Sequence, residues 1–176
     1  MTLWSSADLD DAFDQSVWDT LPGPIAAITT WPANDLFPTT LSYDAWREQH
    51  CTTAELDEPD VSGDDADPDG DRLPNLLEYA SGFDPKVANA GGQPTGSFVT
   101  VEGQRYFALT FRRLMLGYEL NYIVEASNDL ATWSPVSEPV GQPRLNDDGT
   151  LTVTIRDQAP VSATAQRFLR LRVSRQ

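Results

Sequence analysis

The spacing of apolar side chains changes character along the chain. Residues 1–40 hold no sustained period, because acidic residues, three tryptophans (Trp4, Trp18, Trp31) and the stretch TLPGPIAAITTWP interrupt one another. Proline breaks a long helix there, so the segment is predicted to be irregular apart from a short helix over Ala7–Val17. From Ser42 the pattern turns helical: SYDAWREQH offers a serine N-cap and brings Tyr43, Trp46 and His50 round at steps of three and four. The acidic run CTTAELDEPDVSGD reads as a loop, and LPNLLEYAS reads as a second helix closed by Gly82, with Asp84-Pro85 forcing the exit. KVANAGGQPTG, polar and glycine-rich, predicts a linker. Beyond it the period drops to two in RYFALTF, LNYIVEAS, TLTVTIRD and RFLRLRV, with the turn-rich SNDLATWSP and LNDDGT between them. In RFLRLRV, Phe168, Leu171 and Val173 do not share one alternation, which predicts a bulge or burial on both faces.

Four or five strands with no helix between them predict an antiparallel sheet or small sandwich. The expected fold is α+β: an irregular segment over 1–40, a helix-loop-helix unit over 41–90 and an antiparallel β-sandwich-like domain over 91–176. Charge divides the chain at nearly the same place. Residues 1–90 carry 19 acidic and 3 basic side chains, residues 91–176 carry 8 and 9, and the net formal charge is −15. An acidic surface without a basic stripe is repelled by phosphate backbones and anionic lipid, which argues against nucleic-acid and membrane-surface roles and favours divalent cations as partners. The single cysteine, Cys51, excludes an internal disulfide and a multi-cysteine zinc site. No window approaches the ~18 consecutive apolar residues of a membrane span, and the acidic start MTLWSSADLDDAFD does not read as a signal peptide. The chain is therefore expected to be a piece of a longer protein, with any export signal on the precursor.

The densest charge lies between the two predicted helices, where Asp64, Asp65, Asp67, Asp69 and Asp71 crowd together. Such a cluster is either left solvated or neutralised by a cation. A helix-loop-helix calcium site takes oxygen ligands from alternate loop positions and a bidentate acid at the twelfth. Counting from Asp67 places Asp69 and Asp71 third and fifth, the Leu73 carbonyl seventh, Asn75 ninth and Glu78 twelfth. Counting from Asp65 places Gly70 sixth but Leu76 where the closing carboxylate belongs, so the later register is preferred.

DADPDGDRLPNLLEYASGFDP resembles the D-x-D-x-D-G-L-x-N-x-x-E-Y-x-x-G-x-D-P segment of EF-hand-like, dockerin-type and thrombospondin-type-3-like calcium loops near the carboxy termini of secreted bacterial proteins. YDAWREQH is similar to the tryptophan-bearing helix before such loops. YFALTFRR, LNYIVEASNDLATWSPV and VTIRDQAPVSATAQRFLRLRV are similar, in that order, to the β-rich domain that follows them. The resemblance covers roughly residues 41–176 and implies Ca²⁺ as cofactor, an extracellular or cell-surface location and attachment to a larger parent protein. One departure stands out: the family's glycine after the third loop aspartate is Arg72, followed by Leu73 and Pro74. A side chain forced to positive φ at that point costs on the order of 1 kcal/mol.

Other chemistry is less well supported. His50, the only histidine, adjoins Cys51, but neighbouring helical residues diverge by about 100° and are not poised for proton transfer. No pair of acids is fixed across a sugar-sized cleft, so the chain is not expected to be an enzyme. Trp133, Tyr118 and Tyr122 are the candidates for stacking on sugar rings, which would make the β-domain a carbohydrate-binding module with a polysaccharide partner. Trp133 is instead expected to anchor a turn against the core, and Tyr122 to be core or sheet surface. Arg167, Arg170 and Arg172 are expected on a solvated sheet face or docked against the acidic half. The function expected overall is a non-catalytic calcium-binding accessory module, with carbohydrate binding as the alternative.

Overall fold

In the computed structural model, short helices lead into an antiparallel body of two facing sheets. The structure describes residues 41–163 and 166–176; the expected helix over Ala7–Val17 lies outside them. Residues Thr40–Gln176 form one compact unit. No helix among the described residues is long and apolar enough to cross a membrane.

Helix α1 (Tyr43–His50) starts where expected, with the Ser42 hydroxyl accepting from the Ala45 amide at 3.2 Å. Its three- and four-residue steps put Tyr43 and Trp46 on one buried face, their rings stacked at 5.5 Å. The acidic run after it is not a plain loop. It holds two single-turn helices, α2 (Thr53–Leu56) and α3 (Pro59–Ser62). Thr52 and Glu55 make a reciprocal capping box that starts α2, and Pro59 supplies the fixed φ that starts α3. Helix α4 (Asn75–Ser81) ends at Gly82, whose left-handed φ of 73° and close neighbour both require glycine: a β-carbon there would lie 2.7 Å from the Thr150 methyl.

Among the described residues the sheets contain eight strands, where four or five were expected. They are β1 (Thr95–Val101), β2 (Gln104–Leu114), β3 (Leu120–Ser127), β4 (Ser134–Val136), β5 (Glu138–Pro139), β6 (Arg144–Leu145), β7 (Thr150–Pro160) and β8 (Phe168–Arg175). One sheet runs β1-β2-β7-β5 with β6 also on β7, and the other runs β4-β3-β8. Of the strands not expected, β4, β5 and β6 are too short to show a period, and the seven-residue β1 is exposed along most of its length and shows none. Alternation sends Leu109, Phe111 and Val124 into the layer between the sheets, where Val153, Ile155, Leu169 and Leu171 meet them. Strand β8 has no bulge, since it pairs in unbroken register with β3; Leu169, Leu171 and Val173 share its inner side, while Phe168 on the other side is also half-buried, as burial on both faces requires. The register shift occurs between β2 and β7 instead, at Tyr106 and Ala108.

A second core joins helices to sheets. Tyr43, Trp46, Tyr79 and Ala80 pack with Leu120, and Leu114, Tyr122 and Val173 close over them. The Tyr79 hydroxyl donates to Glu119, which also accepts from the Tyr43 amide at 2.7 Å. Arg175, at the end of β8, lies over the Tyr43 ring and donates to Asp64 at 3.2 Å. The chain's acidic and basic parts are thus tied by a specific pair as well as by apolar packing.

Candidate metal centre

Between α3 and α4 the chain folds back on itself so that the carboxylates of Asp67, Asp69 and Asp71 converge, with one oxygen from each within 4.8 Å of the others. Their positions are set by backbone amides of the same turn. Asp67 accepts from the Gly70, Asp71 and Arg72 amides, at 3.0, 3.1 and 3.0 Å. Asp69 accepts from the Asp71 amide at 3.1 Å, and Asp71 from the Leu73 amide at 2.7 Å. Arg72 occupies the left-handed region at φ 76°, the conformation that glycine adopts without strain. Leu73 then turns fully inward and anchors the loop to the interior.

Helix α4 places Glu78 near enough to feel the charge of these three aspartates, although its oxygens fall outside the group that converges within 4.8 Å. Its side chain is fully buried, with Oε1 accepting from the Asn89 amide group at 3.3 Å and Oε2 without any partner. Asp69 Oδ2 is also buried and unpartnered. Burial, and after it the negative charges of Asp69, Asp71 and Asp67, pushes the Glu78 carboxyl up to about 8. Burial raises Asp69 above the usual carboxylate range too, against the opposing amide of Asp71. An ionised carboxylate only accepts hydrogen bonds, so these oxygens need a proton or a cation. Among the described residues no lysine or arginine forms an ion pair with Asp67, Asp69, Asp71 or Glu78.

The donors are all hard oxygens, the set that suits Ca²⁺ or Mg²⁺ rather than zinc or copper. Asn75, the expected ninth-position ligand, is held through its nitrogen. Its amide nitrogen donates to the carbonyls of Val61 and Gly63, both at 2.9 Å, and its Oδ1 is buried without a donor. It ties the entry of the loop to α3. Two residues that sequence reasoning missed hold the far side. The Asn89 backbone amide donates to Asp71 at 2.6 Å, and the Gln93 side chain donates to the Asp71 carbonyl at 2.8 Å. The predicted linker is therefore folded over the loop, with Gly92 so close to Leu73 and Phe83 that a β-carbon would stand 2.9 Å from each. Its polar, glycine-rich composition reads equally well as spacer or clasp.

The aromatic candidates do not assemble into one platform. Tyr122 points inward, donating to the Ala80 carbonyl at 2.7 Å, and burial pushes its hydroxyl up to about 12. Trp133 lies on the opposite, outer face of the smaller sheet, where the Arg170 guanidinium covers its ring at 4.1 Å. Its indole does brace the turn, donating to the Leu130 carbonyl at 3.1 Å, but it is half-buried and outside both apolar cores, unlike the core anchor expected. Tyr118 sits alone and 83% exposed in the β2–β3 turn.

The arginines divide between two settings. Arg167 is paired with the fully buried Asp157, while Arg170 and Arg172 share Glu125 on the outer sheet face. His50 faces Asp84 at 3.3 Å, away from any nucleophile pair with the free Cys51. No family model, curated protein or solved structure matches the chain.

Proposed function

We propose that residues 41–176 are a calcium-dependent, non-catalytic structural module of a larger secreted or surface protein. The carrying observation is Glu78: a fully buried carboxylate with an unpartnered oxygen, set against three further carboxylates that have only amide donors. A divalent cation supplies the missing positive charge. Asp67, Asp69, Asp71 and Glu78 would hold it, with the Leu73 carbonyl and water completing a calcium shell of six to eight oxygens.

The effect is mechanical. Neutralising the cluster stabilises the turn that leads into α4, and α4 carries Tyr79 and Ala80 into the core shared with β3. Asn89 and Gln93 extend the same effect to the strand that follows them. Such a unit is suited to rigid display or linkage of its parent. Isothermal titration of the chelator-treated protein tests the reading: one Ca²⁺ per chain, bound more tightly than Mg²⁺, supports it, and no saturable heat overturns it.

A further inference from the structure

The smaller sheet stops short on the side away from β8. Strand β4 pairs only with residues 124–126 of β3, so the edge of β3 at Tyr122 and Ile123 has no strand beside it among the described residues. In the larger sheet the matching side of β7 is covered by β5 and β6, and the chain between those two turns through Gly141 at φ 72°. A cleft of about 420 Å³ opens between these edges. Phe111, Val124, Val136, Val153 and Ile155, all members of the apolar layer between the sheets, form its floor, and Pro139, Val140 and Pro143 line its rim. Close-packed interiors leave few voids larger than a water molecule, and sites for small molecules start near about 300 Å³.

One charge enters this apolar cleft. Arg113 follows Phe111 by two positions on β2, so alternation turns it to the same inner side. Its guanidinium lies over the Tyr122 ring at 4.7 Å, and its Nε donates to the Leu114 carbonyl at 3.3 Å. Stacking uses the face of a guanidinium and leaves the N–H groups at its edge to other partners. Among the described residues neither terminal nitrogen of Arg113 has an acceptor, and no carboxylate pairs with it. Arg112, on the outer side of the same strand, is paired with Asp148. No aspartate or glutamate lines the cleft. Its other polar side chains are the hydroxyls of Tyr122, Ser137 and Thr154, of which the first is bonded to Ala80 and the last to Thr110.

We propose that this cleft binds a small amphiphilic anion, a carboxylate on an apolar body. The carboxylate would take the terminal nitrogens of Arg113 as a bidentate pair, and the body would lie along Phe111, Val136 and Ile155. An ammonium group in the same place would meet an uncompensated guanidinium, and a ring of sugar hydroxyls would be desolvated against an apolar wall. Apolar burial supplies the affinity, and the arginine fixes the sign of the ligand and its orientation.

Octanoate, 1-octanol and octylammonium share one apolar chain and differ in the charge of the head group. Each is titrated, at concentrations where it is monomeric, into the isotope-labelled 176-residue chain in Ca²⁺, and binding is followed by amide chemical shifts. Octanoate is expected to bind saturably at one site and to shift amides of β2, β3 and residues 140–143, with octanol about tenfold weaker and octylammonium weaker still. Arg113→Gln is expected to bring octanoate down to the affinity of octanol, and Val140→Trp, which fills the rim, to weaken both. Equal affinity for octanoate and octylammonium overturns the proposal, as does the absence of saturable binding. So do unchanged discrimination in Arg113→Gln, undiminished binding in Val140→Trp, and shifts centred on other exposed apolar side chains such as Phe98 and Tyr118. Where a variant fails to fold, the three head groups and the shift map on the wild-type chain decide alone. The cleft shares no residue with the aspartate loop, so this result stands apart from the titration with Ca²⁺.

Discussion

Glu78 concentrates the energetic conflict of the molecule at one side chain. A buried carboxyl raised to about 8 binds its proton more tightly in the folded chain than in the unfolded one, where glutamate titrates near 4.5. The folded state therefore holds more protons across that interval, and stability without metal must fall as pH rises through it. Chemical denaturation in chelator is expected to show that decline between about pH 4.5 and 8, and saturating Ca²⁺ to flatten it. Glu78→Gln removes the charge while keeping the shape. In chelator at pH 8 the variant is expected to be at least as stable as wild type, yet to gain almost nothing from Ca²⁺; a variant stabilised by Ca²⁺ like wild type would show that Glu78 is no ligand. Arg72 stores a smaller strain in its left-handed backbone. Arg72→Gly is expected to raise stability in Ca²⁺ by about 0.5–1 kcal/mol, and a loss would mean that the arginine side chain contributes more than its backbone costs.

At the scale of elements, side chains that repeat at a helix or strand period were legible in the sequence, and short or irregular pieces were not. Helices α1 and α4 announced themselves through Ser42, the Tyr43–Trp46 face and Gly82, each a local signal with a local cause. The long strands β2, β3 and β7 were visible as alternation, whereas β5 and β6 have two residues each and are defined only by pairing with β7. The convergence of Asp67, Asp69 and Asp71 could be read from their alternate spacing within one segment. Asn89 and Gln93 could not, since their role depends on the chain returning to a loop eighteen and twenty-two residues earlier. Trp133 shows the same limit: turn residues beside it suggested a core anchor, but Arg170 on a distant strand provides its cover. Trp133→Ala is accordingly expected to cost about 1–2 kcal/mol, below the ~3–5 kcal/mol of a buried tryptophan. A melting curve showing the larger loss would place the indole in the core.

The whole molecule is organised around a contrast of charge that its fold resolves only in part. Arg175 reaches from the last strand to Asp64, Glu119 reaches from the β2–β3 turn to the backbone of α1 and the hydroxyl of Tyr79, and Tyr122 donates to the Ala80 carbonyl, so polar contacts fix the acidic helices to the sheets around one apolar core. Asp67, Asp69, Asp71 and Glu78 have amide donors but, among the described residues, no arginine or lysine partner. A ligand that binds only the folded chain stabilises it by about 2.7 kcal/mol at a hundredfold excess over its Kd. The most direct measurement is differential scanning calorimetry of the wild-type chain in Ca²⁺, in Mg²⁺ and in chelator. The unfolding temperature is expected to be highest in Ca²⁺, only slightly raised by Mg²⁺ and lowest in chelator; superimposable curves in Ca²⁺ and chelator would contradict a calcium-dependent fold.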